Sequence, residues 1–519
     1  MPIDIPIIGA RSALWIAGQI HLYMAAFVLG APIFIVLCEF LGLPRARTNW
    51  RMRLPVAILI LILGLAATFY GPTIVDKIVF LMFTIVFLAV VLLLKSSGDS
   101  RYERLAHETM KVVTIAYSLT ALFGAAFAFM LMANYGNVMT HLFERFGPVF
   151  GLYVALFFVE TALMYIYWYS WDPLAHRKSL HLNIGIALNL VGTVVMLLIN
   201  VIGSYMLTPP LEADASLWTL INNPSWTGLN LHRFIANVTL GGFVVALFAA
   251  FMFLTAKREE DKAFYDWMGF IGNLIGTASL LTLPLAGYIL AKEIFLYDAS
   301  ISTFLMADKL SGFFVAQGFL VSMLFLGANY YMWMSIRRIS GTKALMGYMR
   351  PTFAVIFIGV AIWLTPQGFL PDLNSPIPTG VSQTDIFIPE RASFFGMMMA
   401  KAVAVTIIIM FTFLTYMVYR RALAQGTLRW GQIAPQAQYA LVFLPAVAIF
   451  LMGLMGAIRE LARQDWHVYN VLRDTTPYWY TTPLGYTTIM VSIATVAFFV
   501  LMAFIFWVGF KLGKTETER

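Results

Sequence analysis

The chain has 519 residues, 60% of them hydrophobic and only 12% charged, with a formal net charge of +8. Its mean hydropathy is +0.80. Soluble domains carry about a quarter charged residues, so a water-soluble globular protein is excluded. The positive charge calls for no nucleic-acid partner, because the basic residues sit between apolar runs and act as topology markers.

About 20 apolar residues cross a hydrocarbon layer about 30 Å thick. Thirteen segments qualify: 13–41, 54–71, 77–95, 112–134, 148–171, 184–206, 231–256, 267–291, 311–336, 353–370, 394–419, 438–458 and 484–511. Backbone groups in lipid must be satisfied within a segment, which makes these helices. The alternating strands of a barrel are absent. The expected fold is an all-α polytopic transmembrane bundle. With no clear repeat or low-complexity stretch, residues 1–519 read as one membrane domain. The first span is about twice the length of a signal-peptide core and lacks a small-residue cleavage site, so it reads as retained. The single cysteine, Cys38, lies inside that span. It excludes a disulfide framework, thiolate-bound clusters and covalent haem attachment through C-x-x-C-H.

Lys and Arg mark cytoplasmic loops. The loop after span 1 holds Arg45, Arg47, Arg51 and Arg53, and the loop after span 3 holds Lys95, Arg101, Arg104 and Lys111. Arg177 and Lys178 follow span 5, "KREEDK" follows span 7, Arg337, Arg338, Lys343 and Arg350 follow span 9, and Arg420, Arg421 and Arg429 follow span 11. Loops after even spans are poor in basic residues. The amino terminus is therefore expected outside and the carboxyl terminus inside.

Charged and ligating side chains at membrane depth are costly and tend to mark function. His21 lies in the outer half of span 1, His232 opens span 7, Met397 opens span 11 and Glu460 ends span 12. On the expected topology these four share one depth. Imidazole, thioether and carboxylate are all axial donors to haem iron, and the planar guanidinium of an arginine matches a haem propionate. Glu460, Arg463 and Trp466 share a helical face if that segment stays helical. Each residue alone has a plainer reading. A single His in a membrane helix is commonly a packing residue, Met is abundant here, and Glu460 at a helix end could pair with Arg459. His107, His141, His176, His181 and His467 sit in loops or at span ends and read as solvated.

At these residues the chain resembles subunit I of the cytochrome bd-type quinol oxidases. The stretch "ARSALWIAGQIHLYMAAFVLGAPIFIVLCEF" places Arg11, His21, Gly30 and Glu39 at the family's Arg, haem-ligand His, Gly and Glu spacing. "FGPVFGLYVALFFVETALMYIYWYSWD" puts Glu160 at a buried carboxylate position and closes on Trp171–Asp172. "NVIGSYMLTPP" is similar to the family's G-[SW]-x-M-x-x-P turn. In "NPSWTGLNLHRFIANVTLGGF", His232 keeps the nine-residue distance from Asn223 that the family's low-spin haem ligand shows. The family's E-x-x-R-Q-x-W fits Glu460, Arg463, Gln464 and Trp466, with the Glu on a high-spin haem. In "ASFFGMMMAKA", aligning Ser393–Phe394 makes Met397 the axial methionine, with Met398 and Met399 beside it.

The resemblance implies haem b in two or three copies, with haem d as a further option. It also implies a second membrane subunit of bd type and a bacterial or archaeal cell membrane. His21, His232, Met397 and Glu460 would hold iron. Arg11, Arg463 and Trp466 would contact the cofactor, and Glu160 and Glu39 would serve catalysis.

The sequence departs from the family at three places. Leu152 stands where the family has a second buried Glu, eight residues before Glu160. Spans 9 and 10, residues 311–370, replace the family's quinol-binding loop, leaving the short outer segment "AKEIFLYDASISTFLMADKLS" with Lys292, Glu293, Asp308 and Lys309. Residues 54–95 form an additional helical hairpin. Three functions follow. In the first, electrons pass from quinol through haem to oxygen. In the second, electrons pass between quinone and an external redox protein such as a cytochrome c. The third is a haem-free transporter or assembly subunit.

Overall fold

The computed structural model describes residues 9–44, 50–70, 74–93, 95–212, 214–306, 309–365, 394–474 and 484–517. Its helices are α1 (Gly9–Gly42), α2 (Trp50–Tyr70), α3 (Ile74–Leu93), α4 (Ser100–Asn134), α5 (Gly136–Tyr169), α6 (Lys178–Leu207), α7 (Leu217–Ile221), α8 (Trp226–Thr255), α9 (Glu259–Tyr297), α10 (Ala299–Met306), α11 (Ser311–Arg337), α12 (Met346–Leu364), α13 (Phe394–Gln425), α14 (Pro435–Ala462) and α15 (Leu484–Thr517). A two-stranded hairpin, β1 (Trp466–Val468) and β2 (Leu472–Arg473), follows α14.

Over the described residues, each of the thirteen apolar segments lies largely on a helix. Among the described residues, eleven helices are long and apolar enough to cross a membrane. Segments 54–71 and 77–95 fall on the other two, α2 and α3. Several helices outrun their apolar core. α4 begins at Ser100, and α9 begins with Glu259, Glu260 and Asp261, acids suited to the positive end of a helix dipole.

The chain packs as two compact units. The larger comprises Met1–Ala31, Ile115–Tyr153 and Met196–Arg519, and the smaller Pro32–Thr114 and Val154–Val195.

Close backbone contact organises the larger unit. A Cβ on Gly30 of α1 would collide with the Asn237 carbonyl oxygen of α8, and one on Gly241 would stand 2.8 Å from the Ala31 nitrogen. A Cβ on Gly242 would meet the Gly276 nitrogen of α9 at 2.5 Å. Small residues at such crossings replace side-chain packing where lipid supplies no hydrophobic drive. At the end of the unit that carries the basic loops, Arg338 just past α11 pairs with Asp266 of α9, both side chains fully buried. Asp266 also accepts the Gly431 N–H at 2.9 Å, and the Arg338 guanidinium lies 4.3 Å from the Trp430 ring centroid.

Candidate functional site

His21 is half-buried on α1, and its Nδ1 lies 3.1 Å from the Thr120 carbonyl oxygen of α4. A carbonyl only accepts, so Nδ1 carries the hydrogen and Nε2 keeps its lone pair for a ligand. Gly124 makes room for the ring, since a Cβ there would stand 2.7 Å from Cε1, and Phe127 stacks on it at 6.3 Å.

His232 is half-buried in the second turn of α8, facing Gly287 of α9, whose Cβ position lies 3.8 Å from Nε2. A polar ladder fixes the start of that helix. Arg233 donates to Asn200, Asn200 donates to Asn230 at 2.7 Å, Asn223 donates to Ser204 at 2.9 Å, and Thr208 bonds Ser225 at 2.6 Å. The Asn-Pro turn read in the sequence is thus tied to α6. α1 and α8 cross at Gly30 and Gly241, each nine residues beyond its histidine, about 13 Å of helix.

Glu460 closes the last turn of α14, where Arg463 and Arg459 both donate to its carboxylate, the latter at 3.2 Å. A Cβ on Gly456, one turn earlier, would stand 2.5 Å from Gln19 of α1, two residues before His21. Gly203, in the last turns of α6, lets Arg459 approach: its Cβ position is 3.0 Å from Nη1. Arg463 also donates to the His467 carbonyl. Burial lowers the Arg463 guanidinium from its ordinary value, against the opposing charge of Glu460.

The helical face expected for Glu460, Arg463 and Trp466 is not continued. α14 stops at Ala462, Gln464 takes a left-handed φ of 54°, and Trp466 lies on β1 against Leu207, Ile294 and Tyr469. Arg11 meets Asp474 at 3.0 Å, and His467 meets the same carboxylate at 3.3 Å. His467, expected in solvent, is therefore held in this network with Tyr135 edge-on at 5.5 Å. The Met397 side chain, Asp308 and Ser393 lie outside the described residues.

In the smaller unit, Glu160 is buried on α5 and Glu39 is buried on α1. Glu39 bonds His181 and Tyr167. His181 corrects the sequence expectation, being fully buried rather than solvated. Its position at a helix start among Lys178 and Ser179 gave no signal of that, because its partner stands 142 residues away. His107 stacks on Trp168 and Trp171, and His141 bonds the Tyr205 hydroxyl at 3.0 Å. His176 is exposed as expected.

The donor set fits a haem-like group. His21 presents an imidazole lone pair, glycines leave space beside both histidines, and arginines gather at a carboxylate. Arg463 Nε is buried and has no hydrogen-bond partner among the described residues, a donor suited to a propionate. No group of three or more His, Cys, Asp or Glu side chains converges there among the described residues, but axial haem ligation needs only one or two protein donors.

Together these features define a polytopic helical membrane protein with His21 midway along α1, His232 near the start of α8 and two arginines around Glu460 at the end of α14. Residues 65–300 match the family model for cytochrome bd terminal oxidase subunit I, a range that holds Glu160, His181 and His232. The fold is similar to the structure of bd oxidase from Geobacillus thermodenitrificans, with a TM-score of 0.56 and 13% identity over 97% of each chain. No curated protein matches the sequence. Residues 65–300, a little under half of the chain, thus carry the likeness read from the sequence, and the helices are those of a multi-pass membrane protein with a bd-oxidase-like fold.

Proposed function

We infer that the chain is the haem-bearing subunit of a bd-type complex that oxidises quinol and passes electrons on toward oxygen. The observation that carries this reading is the Glu460–Arg459–Arg463 cluster, set against the α1 helix that bears His21. Haem b, in two or three copies with haem d as an option, would supply one-electron chemistry when bound. His21, His232, Met397 and Glu460 would hold it, and Arg463 and Arg11 would balance its carboxylates. Glu160 would hold a proton for the reduced product, with Glu39 behind it. The amino terminus would face outward and the cluster would lie near the outer surface, in a bacterial or archaeal cell membrane beside a second bd-type subunit.

A second reading has one observation in its favour. Leu152, at the position of the family's additional Glu, is 50% exposed and carries no proton. On that reading oxygen is not reduced, and electrons pass between quinone and an external redox protein such as a cytochrome c.

Visible reduced-minus-oxidised spectra of the purified protein test both readings. His232→Ala is expected to remove a low-spin signal. Glu460→Ala is expected to perturb a high-spin signal while the low-spin one persists. A featureless wild-type spectrum refutes haem binding, and oxygen uptake with quinol against reduced cytochrome c separates the two routes.

A further inference from the structure

Glu39, Tyr167 and His181 form a cluster inside the smaller unit, with relative exposures of 1%, 0% and 0%. The Tyr167 hydroxyl donates to Glu39 Oε2 at 2.6 Å. His181 Nε2 lies 2.9 Å from the Tyr167 carbonyl oxygen. That oxygen only accepts, so Nε2 carries a hydrogen. Nδ1 lies 2.6 Å from Glu39 Oε1. One proton occupies this second contact. On Nδ1 it makes an imidazolium and a carboxylate, and on Oε1 it makes two neutral groups. The pair has no net charge in either state.

The surroundings come from every element of this region. Cys38 precedes Glu39 on α1 and is buried. From the α5 end, the Tyr167 ring stacks on His181 at 4.5 Å and Trp171 meets it edge-on at 4.7 Å. Lys178 of α6 lies 5.2 Å from the Trp171 ring and is answered by Glu103 of α4. His107 of α4 stacks on Trp171 at 4.9 Å. Arg101, Arg104 and Lys178 make this the basic end of the unit. Glu160 lies seven residues before Tyr167 on α5, two turns along the same face.

A buried ion pair is a poor device for stability alone, since apolar replacements of similar volume are often neutral or stabilising. Here the pair stands at the basic end of a helix that also carries a buried carboxyl. We propose that Glu39 and His181 form a proton-holding site, neutral at rest, that exchanges one proton with the basic end of the unit. Uptake adds a proton to the pair, so that Glu39 is a neutral acid beside an imidazolium. Release returns the single shared proton. Tyr167 is the positioning residue, its phenol holding Glu39 Oε2 while its carbonyl fixes the His181 ring. The proposal deepens the proton role assigned to Glu160 and rests on that reading for its purpose, though not for its chemistry.

Infrared difference spectroscopy of the full chain in lipid vesicles tests it, with a pH step in one arm and reduction in the other. The pH arm is expected to show a carboxylic-acid C=O band and a linked imidazole band, both lost in Glu39→Gln. Tyr167→Phe keeps the ring packing and removes a donor to the carboxylate, so the carboxylic-acid band is expected to move in frequency. If Glu39→Gln merely lowers the melting temperature and the wild type shows no titrating band, the cluster only ties helices together and the proposal is overturned. If Glu39→Gln does not fold, an unmoved carboxylic-acid band in Tyr167→Phe overturns it equally. A pH band that persists in protein lacking haem spectra supports the pair and refutes the electron-transfer reading.

Discussion

Arg338→Ala removes one partner of an ion pair whose side chains are both 0% exposed. Asp266 would retain the Gly431 N–H at 2.9 Å and face an otherwise unbalanced interior. Orphaning a buried charge costs about 3–5 kcal/mol. Loss of the guanidinium over Trp430, at 4.3 Å, adds about 1 kcal/mol. The expected total is about 4–6 kcal/mol, a shift of roughly 10³- to 10⁴-fold in the unfolding equilibrium. Asp266→Leu with Arg338→Met removes both charges and is expected to recover most of that loss. Thermal unfolding in mild detergent, followed by helical circular dichroism, supplies the double-mutant cycle. Additive losses, with the double variant worse than either single one, would refute the reasoning and show that the two residues act through separate contacts.

Gly30→Val drives a branched side chain into the Asn237 backbone. Overpacking typically costs about 1–3 kcal/mol, and a backbone obstacle should place this at or above the upper end, read as loss of accumulated protein in membranes. Gly124→Leu fills the space beside His21. It should remove one haem signal and leave the His232-dependent signal intact in visible spectra. Asp99 caps α4, accepting the Arg101 N–H at 3.0 Å, and the Arg101 side chain holds its carboxyl below the usual value. A lowered folded-state value stabilises above the unfolded carboxyl range and is lost as pH falls through the folded value. Hydrogen exchange at residues 100–104 should therefore accelerate on acidification, and Asp99→Asn should abolish most of that dependence.

Much of the architecture was legible because hydrocarbon thickness imposes one length on every crossing segment, and composition alone reveals such runs. Helix ends were not legible. Ser100–Lys111 and Glu259–Asp266 continue their helices outside the apolar stretch, where hydropathy carries no information. α7 and α10 were missed because their starts are set by local hydrogen bonds, accepted by Ser216 from the Thr219 N–H and by Asp298 from the Ser300 N–H, rather than by apolar period. Glu460 and Arg463 were correctly expected to be close, being one turn apart. Trp466 was placed on the wrong element, since nothing in "RQDWHVYN" announces left-handed residues at Gln464 and Asn470. The Glu39–His181 contact depends on α1 and α6 meeting, which no single sequence reveals.

Where α1, α8 and α9 touch, peptide groups lie against peptide groups, with no rotamers between them to adjust. Anything hung from His21 or His232 inherits its place from the main chain itself. On the proposed function, groups held at His21 and His232 would keep their spacing even where a neighbouring acid is absent, as at Leu152.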